Sequence, residues 1–248
     1  MARDRVVAIV EARMGSSRLP GKSMRPLAGV PLVERVVQRI RSAKSLDDVV
    51  VATSTSEKDD ILAHHCEHAG IAVHRGSEDD VLARILGASH RARATIHVQC
   101  WGDCPFADAG EIDRVVGALL ESGSDLAGNG LAEPRALPLG LDVIALRVAA
   151  LERAEAETRQ TPYHREHGTT YIYQSPALFL ITKVATPESL RFPHFNATIN
   201  TADDFEFVSR IYETLVTAKA ASFSFEDVIR VIRSTPELRA HPNAKAVA

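Results

Sequence analysis

Four short β-branched runs, separated by stretches of helical spacing, constrain this chain more than anything else in its sequence. Arg5–Val10 (RVVAIV), Asp48–Thr53 (DVVVAT), Ile71–His74 (IAVH) and Ala94–Val98 (ATIHV) are too short for helices and nearly continuous in apolar residues. Strands of this kind suit a parallel sheet buried on both faces. Between them, Leu32, Val33, Val36, Val37 and Ile40 recur at helical offsets with Arg and Gln on the other side, and 57–69, 78–91 and 108–121 follow the same period. Ser77 ahead of Asp79-Asp80, and Asp108 three residues before Glu111, are N-terminal capping signals, and Gly70 stands where a helix ends. Strand and helix alternating four times predicts an α/β fold with right-handed crossovers and a mostly parallel sheet flanked by helices.

Beyond about residue 128 the pattern loosens. Gly128-Asn129-Gly130 and the stretch from Glu133-Pro134 to Pro138-Leu139-Gly140 mark loops. Leu141–Leu146 reads as a strand, Arg147–Arg159 as a helix, Leu178–Val184 as a strand and Thr198–Asn200 as one more. Helices are expected at about 202–217 and 225–233, within a single domain spanning 1–235. A polar tail, 236–248, is expected to fray.

Composition narrows the function classes. Lys plus Arg number 29 against 32 acids, a net charge of −3, so the overall field offers nothing to a nucleic acid. No stretch approaches 18 uninterrupted apolar residues, and MARDRVV lacks the apolar centre of a signal peptide. No membrane role is expected. Three cysteines (Cys66, Cys100, Cys104) are too few for a disulfide framework and fit a reducing, cytoplasmic setting.

Against that acidic background, Ala12–Val33 carries four cations (Arg13, Arg18, Lys22, Arg25) and no acid. The segment follows the first strand and precedes the first long helix, where open α/β sheets bind ligands. Gly15 and Gly21 let backbone approach a ligand, Ser16 and Ser17 add hydroxyls, Arg forks onto phosphate oxygens and Lys supplies a compact charge. The combination is a polyphosphate cradle. It is neither a GxxxxGK[ST] loop nor a GxGxxG loop.

The eleven residues ARMGSSRLPGK resemble the phosphate loop of cytidylyltransferases that activate acidic sugars, most of all the spore-coat polysaccharide SpsF type, relatives of the CMP-sialate and CMP-KDO synthetases. The resemblance continues in order through Val51–Ser54, Arg75–Arg84, Gly102-Asp103-Cys104-Pro105 (GDCP), Gly140–Val143 (GLDV), Arg165-Glu166-His167 (REH) and Thr198–Glu206. It implies a Rossmann-like nucleotidyltransferase fold and Mg²⁺-dependent transfer of CMP from CTP to a small anionic acceptor, with release of pyrophosphate. By the resemblance, Ala12, Arg13, Gly15, Ser16, Arg18 and Lys22 would hold the nucleotide with Gly76 and Ser77 nearby. Arg13, Lys22 and Asp103 would be catalytic, and Asp103 and Asn200 would bind metal. Asp142, Arg165 and His167 would meet the acceptor, and a portion at about 130–195 would form a homodimer.

The chain departs from that pattern in places. Asn200 stands where the family has Asp, which removes a negative charge from the metal side; Gln99 replaces an Arg, Ile144 replaces a Glu, and Glu11 stands where Gln is commoner. Two readings stay open: a transferase with an unusual acceptor, such as a phosphorylated or phosphonate compound, or a nucleotide-binding protein without turnover. Tyr163–Tyr171, rich in groups that donate, accept or titrate, is read equally as acceptor site and as subunit interface. His64, His65, His68 and Cys66 lack a second ligand pair at zinc spacing and are read as surface and packing residues; Trp101 is read as core.

Overall fold

The computed structural model describes residues 3–219, 223–244 and 247. The strands are β1 (Val6–Glu11), β2 (Pro26–Leu27), β3 (Val30–Pro31), β4 (Asp48–Ser54), β5 (Ala72–Gly76), β6 (Ile96–Trp101), β7 (Leu126–Gly128), β8 (Ile144–Arg147) and β9 (Ile181–Lys183). The helices are α1 (Leu32–Ile40), α2 (Asp60–His68), α3 (Val81–Arg91), α4 (Ala109–Ser122), α5 (Val148–Glu157), α6 (Pro162–Glu166), α7 (Thr170–Gln174), α8 (Ala202–Lys219), α9 (Phe225–Ser234) and α10 (Pro236–Arg239). All four runs and all four amphipathic segments of the first half form as expected, within a few residues.

Seven strands make one sheet in the order β5-β4-β1-β6-β8-β7-β9, with β2 and β3 a separate short hairpin. The first four are parallel neighbours; β8 runs antiparallel to both β6 and β7, and β9 is parallel to β7. This is the mostly parallel, helix-flanked sheet that the alternation of strands and helices predicts. Alternate residues of β1 serve opposite faces. Val6, Ala8 and Val10 join the core under α1, α4, α8 and α9, while Val7 and Ile9 join a second core under α3, α5 and α7. Burial on both faces explains why the strand reads as an unbroken apolar run. Segment 130–195 supplies β8 and β9 to this same sheet.

Four local expectations need correction. Asp80, not Ser77, caps α3: its Oδ1 accepts from Ala83 N at 2.9 Å, while Ser77 Oγ accepts from Asp80 N one turn earlier. Thr198–Asn200 forms no strand, because the Asn196 side chain takes the Thr198 N–H that a ladder would need; an isolated bridge joins Leu139 and Asn196, and Ile199 N donates to Asp103 O at 2.9 Å. The strands expected at 141–146 and 178–184 shorten to β8 and β9. The tail does not fray where described. Leu238, Ala244 and Val247 are buried and Asn243 Nδ2 donates to Asp204 Oδ1 at 2.7 Å, so apolar residues spaced within a polar stretch close the core under α8 and α9. Residues 245, 246 and 248 of that tail lie outside the described residues.

Candidate active site

Parallel register brings the strand ends together. Glu11 of β1 lies level with Ala52 of β4 and Trp101 of β6. The loops leaving β1, β5 and β6 therefore open on the same edge, and a cleft of about 750 Å³ lies there. That size suits a small-molecule site. Gly102 permits the close fit of the β1 and β6 exits: a Cβ there would stand 2.8 Å from Ala12 Cβ and 2.9 Å from Glu11 O.

The cationic loop is held from below. Asp59, at the start of α2, accepts from Met14 N at 2.7 Å, from Ser54 N at 3.1 Å and from Ser54 Oγ at 2.5 Å. Burial raises the Asp59 carboxyl, but these donors outweigh it and hold it below the ordinary aspartate value. Ser23 Oγ donates to Arg13 O, Gly21 N to Met14 O, and Leu19 is buried as the loop's apolar anchor. With its backbone fixed, the loop presents Ala12, Arg13, Gly15, Ser16, Arg18 and Lys22 to the cleft. The fourth cation, Arg25, lies over the Phe205 ring and does not line it.

Lys22 reaches across. Its Nζ donates to Asp103 Oδ2 at 2.6 Å and to Ile199 O at 2.9 Å, tying the loop to the turn after β6 and to the segment ahead of α8. Arg18 Nη2 donates to Asn200 Oδ1 at 2.8 Å. So Arg13, Arg18, Lys22, Asp103 and Asn200, separated by up to 187 residues in sequence, share one cleft.

Asp103 Oδ1 is left with only a long contact from Cys104 Sγ at 3.6 Å. Among the described residues no group of three or more His, Cys, Asp and Glu could hold a metal. One carboxylate and one amide oxygen fit a magnesium ion that arrives with phosphate oxygens and keeps its waters, rather than a closed protein cage.

The remaining expected residues fall differently. Gly76 and Ser77 do not line the cleft; they shape it through Arg84, whose side chain packs on Gly76 and whose Nη1 donates to Ser77 O and Glu78 O. Asp142 is also off the lining, with Oδ2 accepting from Arg135 at 2.7 Å and from Gly140 N. Arg165 and His167 line it, yet the Arg165 guanidinium is spent within the protein, on Asp80 through Nε and Nη2 and on Glu155 through Nη1. His167 is exposed at the rim, its ring edge-on to Tyr163.

Sequence reasoning did not single out Arg84, Asp59, Thr169 or the cleft-facing position of Trp101, which both lines the site and packs on the core. Arg84 was within reach: four residues after Asp80, it returns to the same helix face. The departures at 11 and 99 prove to be one feature, since Gln99 Nε2 donates to Glu11 Oε1 at 2.5 Å and Gln99 Oε1 accepts from Thr169 Oγ1 at 2.6 Å. Elsewhere His65 Nε2 meets Glu34, His68 Nδ1 meets His64 O, and Cys66, Cys100 and Cys104 are buried thiols, the first two pushed up to about 12 by burial. Among the described residues no helix is long and apolar enough to cross a membrane.

The sequence profile of the cytidylyltransferase family matches residues 7–238. The spore coat polysaccharide biosynthesis protein SpsF of Bacillus subtilis is 34% identical over 94% of this chain and 95% of its own length. A 3-deoxy-manno-octulosonate cytidylyltransferase of Anaeromyxobacter dehalogenans is 37% identical over 53% of this chain and 52% of that protein. A solved cytidylyltransferase from Leptospira borgpetersenii superposes with a TM-score of 0.85 at 27% identity, covering 95% of this chain and 97% of that one.

Proposed function

This chain belongs to the cytidylyltransferase family, a nucleotidyltransferase enzyme, and from that premise we propose that it moves CMP from CTP to the hydroxyl of a small sugar acid. The observation that carries this reading is the convergence of Arg13, Arg18 and Lys22 on the same cleft as Asp103. Arg13 and Arg18 are exposed at the cleft mouth and meet phosphate oxygens; Lys22, half-buried between loop and strand ends, neutralises charge that grows on the leaving pyrophosphate. The acceptor attacks the α-phosphorus in line. Positioning and charge neutralisation do most of the work.

Magnesium is part of this proposal. When bound it supplies Lewis-acid charge to the phosphates, with Asp103 as its carboxylate and Asn200 as a neutral oxygen donor. Polysaccharide assembly is the process in which such a product would be used. The enzyme acts in the cytoplasm as a homodimer, joined through the edge strand β9 and the exposed Leu178 and Leu180 beside it.

Titration calorimetry with CTP, GTP, ATP and UTP, each with and without Mg²⁺, tests the nucleotide half. Pyrophosphate release with a panel of sugar acids and phosphorylated acceptors tests the transfer. Selective CTP binding strengthened by Mg²⁺, followed by turnover, is expected. Binding indifferent to Mg²⁺ and without turnover would leave only a nucleotide-binding protein.

A further inference from the structure

A second cavity, of about 420 Å³, opens at the other end of the sheet. Arg5, Asp48 and Ala72, at the starts of β1, β4 and β5, line it, and residues 91–93 at the end of α3 complete it. Val50, Val73 and Ala92 add apolar surface. Helix α3 therefore meets the active-site cleft through Val81 and Arg84 in its first turn and this cavity through Arg91 in its last.

Three of the lining residues are arginines and one is an acid. The acid is already matched: Asp48 Oδ1 accepts from Val49 N at 2.9 Å, and Oδ2 accepts from Arg5 Nη2 at 3.2 Å. Arg5 Nε donates to Ala92 O at 2.8 Å, which fixes its guanidinium against the end of α3. Arg91 and Arg93 are exposed. Among the described residues their guanidinium groups donate no hydrogen bond, meet no carboxylate and cover no aromatic ring. Two positive charges line the cavity uncompensated.

Arg93 also stands where the backbone favours glycine. Arg93 N donates to His90 O and Ala94 N to Ser89 O, the paired bonds that close a helix through one left-handed residue. Helix α2 closes in the same way, with Gly70 N on Glu67 O and Ile71 N on Cys66 O, and there the left-handed residue is glycine, at φ 66°. Arg93 adopts φ 53° with a full side chain, a strained state for an L-residue. The helix dipole accounts for a cation in the last turn, such as Arg91. It does not account for one on the strained residue beyond the helix, and strain of this kind clusters at functional sites.

We propose that this cavity binds a phosphate dianion, inorganic or as the monoester of a small molecule, held by the guanidinium forks of Arg91 and Arg93. The inference stands apart from the transferase reading. Two uncompensated guanidinium groups match a doubly charged anion, and each fork can grip two of its oxygens. Arg5 keeps the end of α3 in place beneath them. The volume lies within the range of small-molecule sites, and the apolar surface of Val50, Val73 and Ala92 suits the carbon part of an ester.

Calorimetry at low salt, without CTP or Mg²⁺, follows inorganic phosphate, glucose 6-phosphate and acetate. It compares wild type, Arg91→Ala/Arg93→Gly, Arg13→Ala/Arg18→Ala in the cationic loop, and the combination of all four changes. The loop variant should keep a phosphate-binding event, and adding the changes at 91 and 93 should weaken it at least about tenfold. Whichever of phosphate and glucose 6-phosphate binds more tightly identifies the free anion or the ester as the ligand, and either supports the site. Arg93→Gly alone should raise the melting temperature of the ligand-free protein by about 2 °C while weakening phosphate, opposite effects that a purely structural arginine would not produce. Four results each overturn the inference and leave the transferase reading untouched. They are full phosphate binding in Arg91→Ala/Arg93→Gly, acetate bound as tightly as phosphate, neither phosphate nor ester bound by the loop variant at millimolar concentration, and a lower melting temperature in Arg93→Gly.

Discussion

Lys22 Nζ stands 2.6 Å from Asp103 Oδ2, so the cation we propose for the phosphates is stationed on the carboxylate we propose for the metal. The pair is partly buried and each member leaves room for another partner: Lys22 has a third donor, and Asp103 Oδ1 has only the Cys104 thiol nearby. Lys22→Ala should weaken CTP at least about tenfold, the loss of one charged hydrogen bond. Asp103→Asn should leave Mg²⁺-free CTP binding intact and abolish the strengthening by Mg²⁺. Calorimetry of both variants checks the split; unchanged CTP affinity in Lys22→Ala would remove the loop from the nucleotide site.

Arg165 faces the cleft but answers to the fold. No residue of α6 is buried, and Arg165 joins it to Asp80, the cap of α3, and to Glu155 of α5. Arg165→Ala removes the cation shared by Asp80 Oδ2 and Glu155 Oε1 and should destabilise by about 2 kcal/mol. A double-mutant cycle with Asp80→Asn should return a coupling of about 1 kcal/mol. Urea unfolding measures both. If Arg165 were instead an acceptor ligand, stability would hold and only the acceptor KM would rise.

The legible part of this protein is its local part. The β1 run and the helix spacings of α1 to α4 are set by neighbours in sequence, and each appears where its pattern placed it, with the cationic loop between β1 and α1. What stayed hidden depends on distance along the chain. Asp59 grips Met14 from 45 positions away and Thr169 orients Gln99 from 70. Nothing near Arg165 announces that its charge is already consumed. The tail misled for a related reason, since Leu238 and Val247 look isolated in a polar stretch until α8 and α9 supply the surface they cover.

The hydrogen bonds that Asp59 accepts from Met14 and Ser54 favour its charged form. Its carboxyl titrates lower in the folded protein than in the unfolded chain, so it stabilises the fold at pH values above the ordinary aspartate range. That contribution is lost as pH falls through the lowered folded value. Asp59→Asn should therefore be less stable than wild type by about 2 kcal/mol near neutrality, with the gap closing below about pH 4. Thermal unfolding of both proteins across pH 3 to 7 decides it; a gap that is constant with pH would mean that charge at Asp59 contributes nothing.

Asn200 is the departure with the clearest electrostatic consequence. Its Oδ1 accepts from Arg18 at 2.8 Å and its Nδ2 donates to Thr198 Oγ1 at 2.7 Å, so the side chain is oriented with its oxygen toward the cationic loop. Asn200→Asp keeps the Arg18 contact, now charge-assisted, gives up the bond to Thr198 and adds a negative charge to the site. Two effects of opposite sign follow. CTP alone should bind more weakly, because its phosphates meet another anion, while Mg²⁺ should bind the CTP complex about tenfold more tightly, since ligand charge sets the affinity of such sites. Mg²⁺ titrations of the wild-type and variant CTP complexes separate the two. A variant in which CTP weakens and Mg²⁺ affinity stays put would show that residue 200 serves Arg18 and the phosphate loop, leaving Asp103 as the protein's sole hold on the metal.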